Sequence, residues 1–316
     1  MIGSGVFRRI GLLACLALAL GPRAFPQDAV FRVDVRLVRL LASVKDASGR
    51  LIGSLNKSDF TVFDNGVAQQ ISLFEHHTEQ PLSIALLIDT SGSTGKELRY
   101  ELDSVERFLR ALLREGNPGD AVALYSFNWQ VSLMNSFTRR MTRIESNLRL
   151  LKSEGGTSLY DAIYLASRDL ESREGRHVIV VVTDGGDTTS TKTYHNALEA
   201  AQVADTVMYP VLVMPITNDA GRNIGGENAL TTLAASTGGR VFAPSLGAEL
   251  DNAFSEILRE LRTQYLIGFY PRNTPATKDR FHTLRVIVRG AGLRVITRNG
   301  YYGDSDQPNG KTYPPR

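Results

Sequence analysis

The chain has 316 residues, with 36 Lys+Arg against 33 Asp+Glu, 42% hydrophobic and 22% charged residues. That length suits about two domains of ~100–200 residues, and the composition excludes a disordered chain, a collagen-like fibre and a polytopic membrane protein. The net charge of +3 leaves no basic excess to neutralise phosphates, so nucleic acid is not an expected partner; one cysteine excludes an intramolecular disulfide and a thiolate metal site.

Met1–Gly21 reads as a secretory signal peptide. Arg8 and Arg9 precede the apolar run Ile10–Leu20, and Ala19-Leu20-Gly21 supplies small residues for cleavage. The run spans about 16 Å, roughly half a bilayer core, so no transmembrane span is expected once the signal is removed. Cys15 lies inside the run. The preceding Leu12-Leu13-Ala14 loosely resembles a lipobox, but the apolar stretch continues to Leu20, so Cys15 is read as part of the signal.

Residues 30–80 read as a β segment. Phe31–Val44 alternates in part, Asp46–Gly49 is a turn, and Asp64-Asn65-Gly66 is a hairpin signal flanked by strands Phe60–Phe63 and Gln70–Phe74. From Pro81 the texture changes. Ser83–Ile88, Asp120–Phe127 and His177–Thr183 are mostly apolar runs, as expected of strands buried on both faces. Between and after them come helical stretches at Lys96–Arg114, Arg140–Leu151, Ser158–Ser172, Lys192–Asp205, Glu227–Ser236 and Leu250–Arg262. Val131–Phe137 reads as an edge strand, and Val207–Met214 and Arg240–Phe242 as further strands. The alternation predicts an α/β fold, a doubly wound, mostly parallel Rossmann-like sheet over 81–262. Tyr265–Tyr270, Phe281–Val288 and Leu293–Arg298 form a C-terminal β segment within 263–303, and 304–316 reads as a disordered tail. Each flank is too small for a core of its own, so the two are expected to join as one accessory β unit.

Where the first buried strand runs out, Asp89, Ser91 and Ser93 stand at alternate positions. The strongest strand ends in Val182-Thr183-Asp184-Gly185-Gly186-Asp187, and Gly155-Gly156-Thr157-Ser158 opens a helix between them. The carboxyl ends of strands are where doubly wound sheets bind ligands. Two carboxylates and three hydroxyls suit a hard divalent cation such as Mg²⁺, with Mn²⁺ or Ca²⁺ also admissible; with no His or Cys in the set, Zn²⁺ and Cu²⁺ are disfavoured.

Asp-x-Ser-x-Ser, the later Gly-Gly-Thr and Thr-Asp-Gly resemble the metal-ion-dependent adhesion site (MIDAS) of von Willebrand factor type A (VWFA) domains. Asp59–Gly66 and Tyr265–Pro271 resemble flanks of a bacterial secreted VWFA-related family. The resemblance implies direct metal binding by Ser91 and Ser93, direct or water-mediated binding by Thr157, and mainly water-mediated roles for Asp89 and Asp184. It further implies a secreted, periplasmic or cell-envelope protein of a bacterium, an adhesion or interaction module rather than an enzyme, whose metal captures an Asp or Glu of an unidentified protein ligand. Asp187 is at most an outer support.

Two other functions stay open: a hydrolase whose metal activates water, although no general base accompanies the motif, and a structural envelope protein with a stabilising metal. Ser91 and Ser93 could simply cap the following helix. A phosphate-loop reading fails at Thr90 and Glu97, and no Gly-x-Ser-x-Gly surrounds either serine. The five histidines, 76, 77, 177, 195 and 282, are read as surface or loop residues. Tyr125, Phe127 and Trp129 are read as core or edge packing, and Arg139, Arg140 and Arg143 as a solvated helix face.

Overall fold

The computed structural model describes residues 37–76, 80–94, 98–213, 223–275, 277 and 279–303. The signal peptide with Cys15, the start of the first predicted strand, His77, Gly95-Lys96, Met214 and the 304–316 tail lie outside the described residues.

In chain order, the strands and helices are β1 (Val38–Lys45), β2 (Phe60–Asp64), β3 (Val67–Gln69), β4 (Ile71–Glu75), β5 (Leu82–Asp89), α1 (Leu98–Glu115), β6 (Ala121–Phe127), β7 (Val131–Thr138), α2 (Met141–Leu148), α3 (Leu159–Glu171), β8 (Arg176–Thr183), α4 (Tyr194–Val203), β9 (Thr206–Leu212), α5 (Ile224–Thr237), α6 (Ala248–Thr263), β10 (Tyr265–Phe269), β11 (Phe281–Val288), β12 (Arg294–Ile296) and β13 (Gly300–Tyr302).

The central sheet has the order β7-β6-β5-β8-β9. The β5, β6, β8 and β9 strands are parallel, and β7 is an antiparallel edge. Every residue of β5 and β8 is buried, because helices cover both faces. Ile84, Leu86 and Ile88 pack with Phe108, Leu109, Phe254 and Ile257 of α1 and α6. The alternate Ala85 and Leu87 pack with Leu159, Ile163, Ala197 and Leu230 of α3, α4 and α5. Two apolar layers on one strand leave no polar face to alternate, which is why the run reads as continuous.

The flanks build two antiparallel sheets, β12-β1-β10-β4 and β13-β11-β2-β3. In the first, Val38 is registered with Phe269 and Ser43 with Ile296; in the second, Thr61 is registered with Ile287. A shared core of Leu40, Val44, Phe60, Val62, Tyr265, Ile267 and Leu284 lies between them.

Several expectations need correction. Asn65 (φ 46°) and Gly66 (φ 82°) do turn a hairpin, but its second strand is Val67–Gln69; residues 71–75 leave it to pair with β10 in the other sheet. Arg240–Phe242 makes one parallel bridge, Val211 with Phe242, and no strand. The helix expected to run to Leu151 ends at Leu148, and β13 was not anticipated. His177 is neither surface nor loop. It is buried in β8, its ring nitrogens 2.5 Å from Ala204 O and 2.9 Å from Arg173 O. His282 is half-buried on Asp64 at 3.0 Å, whereas His76 is exposed in the loop after β4, as expected, with its ring against Phe74 and Tyr265. Tyr125 and Phe127 are core, but Trp129 is 55% exposed. Arg139 is no free cation, since its guanidinium donates to Leu113 O (2.5 Å) and to Asn117 O.

Candidate metal centre

Asp89 closes β5 and is fully buried. Its Oδ1 accepts the Ser91 N–H at 2.8 Å, and its Oδ2 accepts the Thr183 hydroxyl at 2.6 Å. Because Ile88 is registered with Val182, the next residue on each strand, Asp89 and Thr183, meets at the carboxyl edge. Thr183 in turn accepts the Gly185 N–H at 3.0 Å, which fixes the backbone on either side of Asp184.

After Asp89 the chain folds into a tight turn. Thr90 N–H donates to Phe127 O at 2.8 Å, and the Thr94 hydroxyl contacts Asp89 O (3.2 Å) and Ser91 O (3.0 Å). The Ser91 and Ser93 hydroxyls lie 3.1 Å apart. The loop carrying Thr157 is tied to this turn. Glu154 N–H donates to Thr90 O at 2.8 Å, and the Ser153 hydroxyl to Ser91 O at 2.6 Å. On its other side, Thr157 N–H donates to the Thr188 hydroxyl at 2.8 Å, and Thr188 N–H returns to Thr157 O at 2.8 Å. The three loops bearing Asp89, Ser91, Ser93, Thr157 and Asp184 are thus laced together at one edge of the sheet.

Burial, opposed by the bonds from Thr183 and Ser91 and reinforced by the charge of Asp184, pushes the Asp89 carboxyl up to about 6. No cationic side chain of the described residues pairs with it. A buried carboxylate that lacks a counter-charge and stands beside hydroxyl oxygens fits a hard divalent cation. Among the described residues no three His, Cys, Asp or Glu side chains cluster to hold a metal, so the candidate set depends on its hydroxyls.

Asp187 is occupied elsewhere. Its Oδ1 accepts Tyr160 N–H at 3.2 Å and the Ser190 hydroxyl at 2.5 Å, which caps the start of α3. The sequence reading gave no role to Thr183, Thr188 or Thr94, although their hydroxyls hold the site together. The signal for Thr183 was present, since its hydroxyl directly follows the five apolar residues 178–182 of β8 and is adjacent to Asp184.

No curated protein gives a significant match to this chain. Among solved structures, the vWF domain of the type V pili tip protein Mfa5 from Porphyromonas gingivalis shares 15% identity, covering 57% of this chain and 94% of that one, with a TM-score of 0.48. The PilB minor pilin from Streptococcus sanguinis shares 14%, over 58% of this chain and 62% of that one, TM-score 0.46. The conserved hypothetical protein BatB from Bacteroides thetaiotaomicron shares 20%, over 57% and 97%, TM-score 0.44. The family model described as von Willebrand factor type A domain matches residues 84–186, a span that contains all five candidate donors. Over this segment, the chain is similar to the von Willebrand factor type A domain family.

Proposed function

We propose that the protein is a bacterial interaction module, exported to the cell envelope or beyond, in which Asp89, Ser91, Ser93, Thr157 and Asp184 hold a divalent cation, with Mg²⁺ the best fit. When bound, the ion would supply an electrophilic position able to accept a carboxylate from a partner protein. The family match over 84–186 supports an interaction module, and the apolar Ile10–Leu20 run behind Arg8 and Arg9 supports export. No helix of the described residues is long and apolar enough to cross a membrane.

The observation that carries the metal reading is Asp89: fully buried, held by two donors and, among the described residues, without a positive partner. Thr183 and the Ser91 amide orient this carboxylate before any ion arrives. Three hydroxyls in place of further acids leave few negative charges on the ion, so an outside carboxylate still gains by joining it. We read the module as binding rather than catalytic.

Melting curves test the site directly. Millimolar Mg²⁺ should raise the melting temperature of the wild type, because the ion binds the folded state; at ten times its dissociation constant the gain is about 1.4 kcal/mol. Asp89→Ala should lose that response. A wild-type curve unmoved by both Mg²⁺ and chelator sinks the metal reading. A pull-down from cell envelope, with and without chelator, then separates carboxylate capture from mere stabilisation.

A further inference from the structure

Trp129 lies in the turn between β6 and β7 and is 55% exposed, yet it is held rigidly. Its N–H donates to Gly155 O at 3.1 Å, and Ser158 N–H donates to Asn128 O at 2.6 Å. Gly156 (φ +81°) passes so close that a Cβ there would sit 2.8 Å from the Trp129 Cβ. The indole N–H donates to Glu154 Oε2 at 3.2 Å. Glu154 is itself exposed, and among the described residues its other oxygen has no partner and no basic side chain pairs with it. Both residues stand on the loops of the candidate metal centre. Glu154 is three residues before Thr157, and its amide is bonded to Thr90, between Asp89 and Ser91.

An aromatic face fixed beside a carboxylate that has no cationic partner among the described residues is a receptor for a cation: the ring quadrupole attracts the charge, and the carboxylate pairs with it. The geometry points to a second recognition element: Trp129 and Glu154 bind a lysine or arginine side chain of the partner, next to the acidic residue taken by the metal. The preferred ligand is therefore a protein segment bearing an acid and a base close together. This rests on the metal reading for the acid alone; the basic subsite stands on Trp129 and Glu154.

Trp129 is the sole tryptophan, so its emission reports the subsite directly. The probes are fluorescein-labelled capped peptides in which Asp and Lys are separated by zero to three glycines, with matched sets carrying norleucine for Lys or Asn for Asp. In millimolar Mg²⁺, the Asp/Lys peptide of best spacing should bind roughly threefold to tenfold tighter than its norleucine counterpart, the sum of an exposed cation–π contact and an exposed ion pair. That binding should perturb Trp129 emission. Anisotropy on Glu154→Gln and Trp129→Ala should show the lysine preference falling towards one, while both variants keep the wild-type melting response to Mg²⁺. A ratio near one at every spacing, no binding of any peptide, or a preference unchanged in both variants overturns the subsite. The Asn peptides and chelator judge the metal reading separately: equal binding of Asp/Lys and Asn/Lys peptides removes the metal from recognition but leaves the lysine preference standing.

Discussion

The residue on which most depends is Asp89. Its carboxyl is pushed from an ordinary 3.8 up to about 6, chiefly by burial. In the unfolded chain it ionises near 4, whereas the folded chain holds the proton to about pH 6. The folded state therefore binds more protons in that window, and stability falls as pH rises through it. The contribution is fully present below about pH 4 and lost above about pH 6, on the order of 3 kcal/mol in metal-free protein. Asp89→Asn should flatten this dependence and leave chelated protein more stable than wild type at pH 8, while losing the Mg²⁺ response. Urea unfolding in chelator from pH 4 to 8 measures it. A variant that tracks the wild-type pH profile would mean that Asp89 is not the group responsible. The cost of burying this carboxylate is physically intelligible if a cation normally offsets it.

At the scale of elements, the first turn of α5 approaches the loop after β8 closely at glycines. A Cβ on Gly226 would sit 2.7 Å from Gly186 Cα, whereas one on Gly225 meets only Asn223 Oδ1 at 3.5 Å. Gly226→Ala should cost about 1–3 kcal/mol by overpacking. It should also raise the Mg²⁺ concentration needed for half-maximal stabilisation, because Asp184 lies on the displaced loop. Gly225→Ala should do neither, and equal effects of the two would argue against the coupling. The same scale shows what sequence makes legible. β5 and β8 were readable because burial on both faces leaves an unbroken apolar run, and the oxygen donors at their ends stand out against it. The strand after the Asn65-Gly66 turn was misplaced because Val67–Phe74 is one stretch of strand-forming residues; the break at Gln70 sends its two halves into different sheets. β13 is three residues long and carries no period of its own. His177 escaped because a polar residue inside a buried strand is satisfied by carbonyls outside that strand, of Arg173 and Ala204, which no local pattern announces. Trp129 escaped for the opposite reason: an aromatic residue after a buried strand reads as core until the turn beyond it is seen.

For the whole molecule, the decisive feature is that β1 lies between β10 and β12, and β2 lies against β11. Deleting residues 264–316 strips β1 of both its neighbours and bares Leu40, Val44, Phe60 and Val62. The truncated protein should aggregate or lose amide protection over residues 38–75 in hydrogen exchange. A monomeric truncation that keeps this protection would refute a shared core. The ion pairs of Glu260 in α6 with Lys45 in β1 and with Arg240 (2.7 Å) add a further tie, one too short-range to close the sandwich alone. The pairing also orders events in time. Residues 76–264 separate β4 from β10, and bringing the ends of so long a loop together is entropically costly while it remains unfolded. Once the central sheet and its helices have formed, the loop is a rigid body and that cost is largely removed. Folding should therefore run from the middle outward, with Trp129 emission reaching its native value before β1 and β2 gain exchange protection. β1 and β2, though they precede the central sheet in the chain, are then the last to find their partners, and through that interval their apolar faces are open to aggregation.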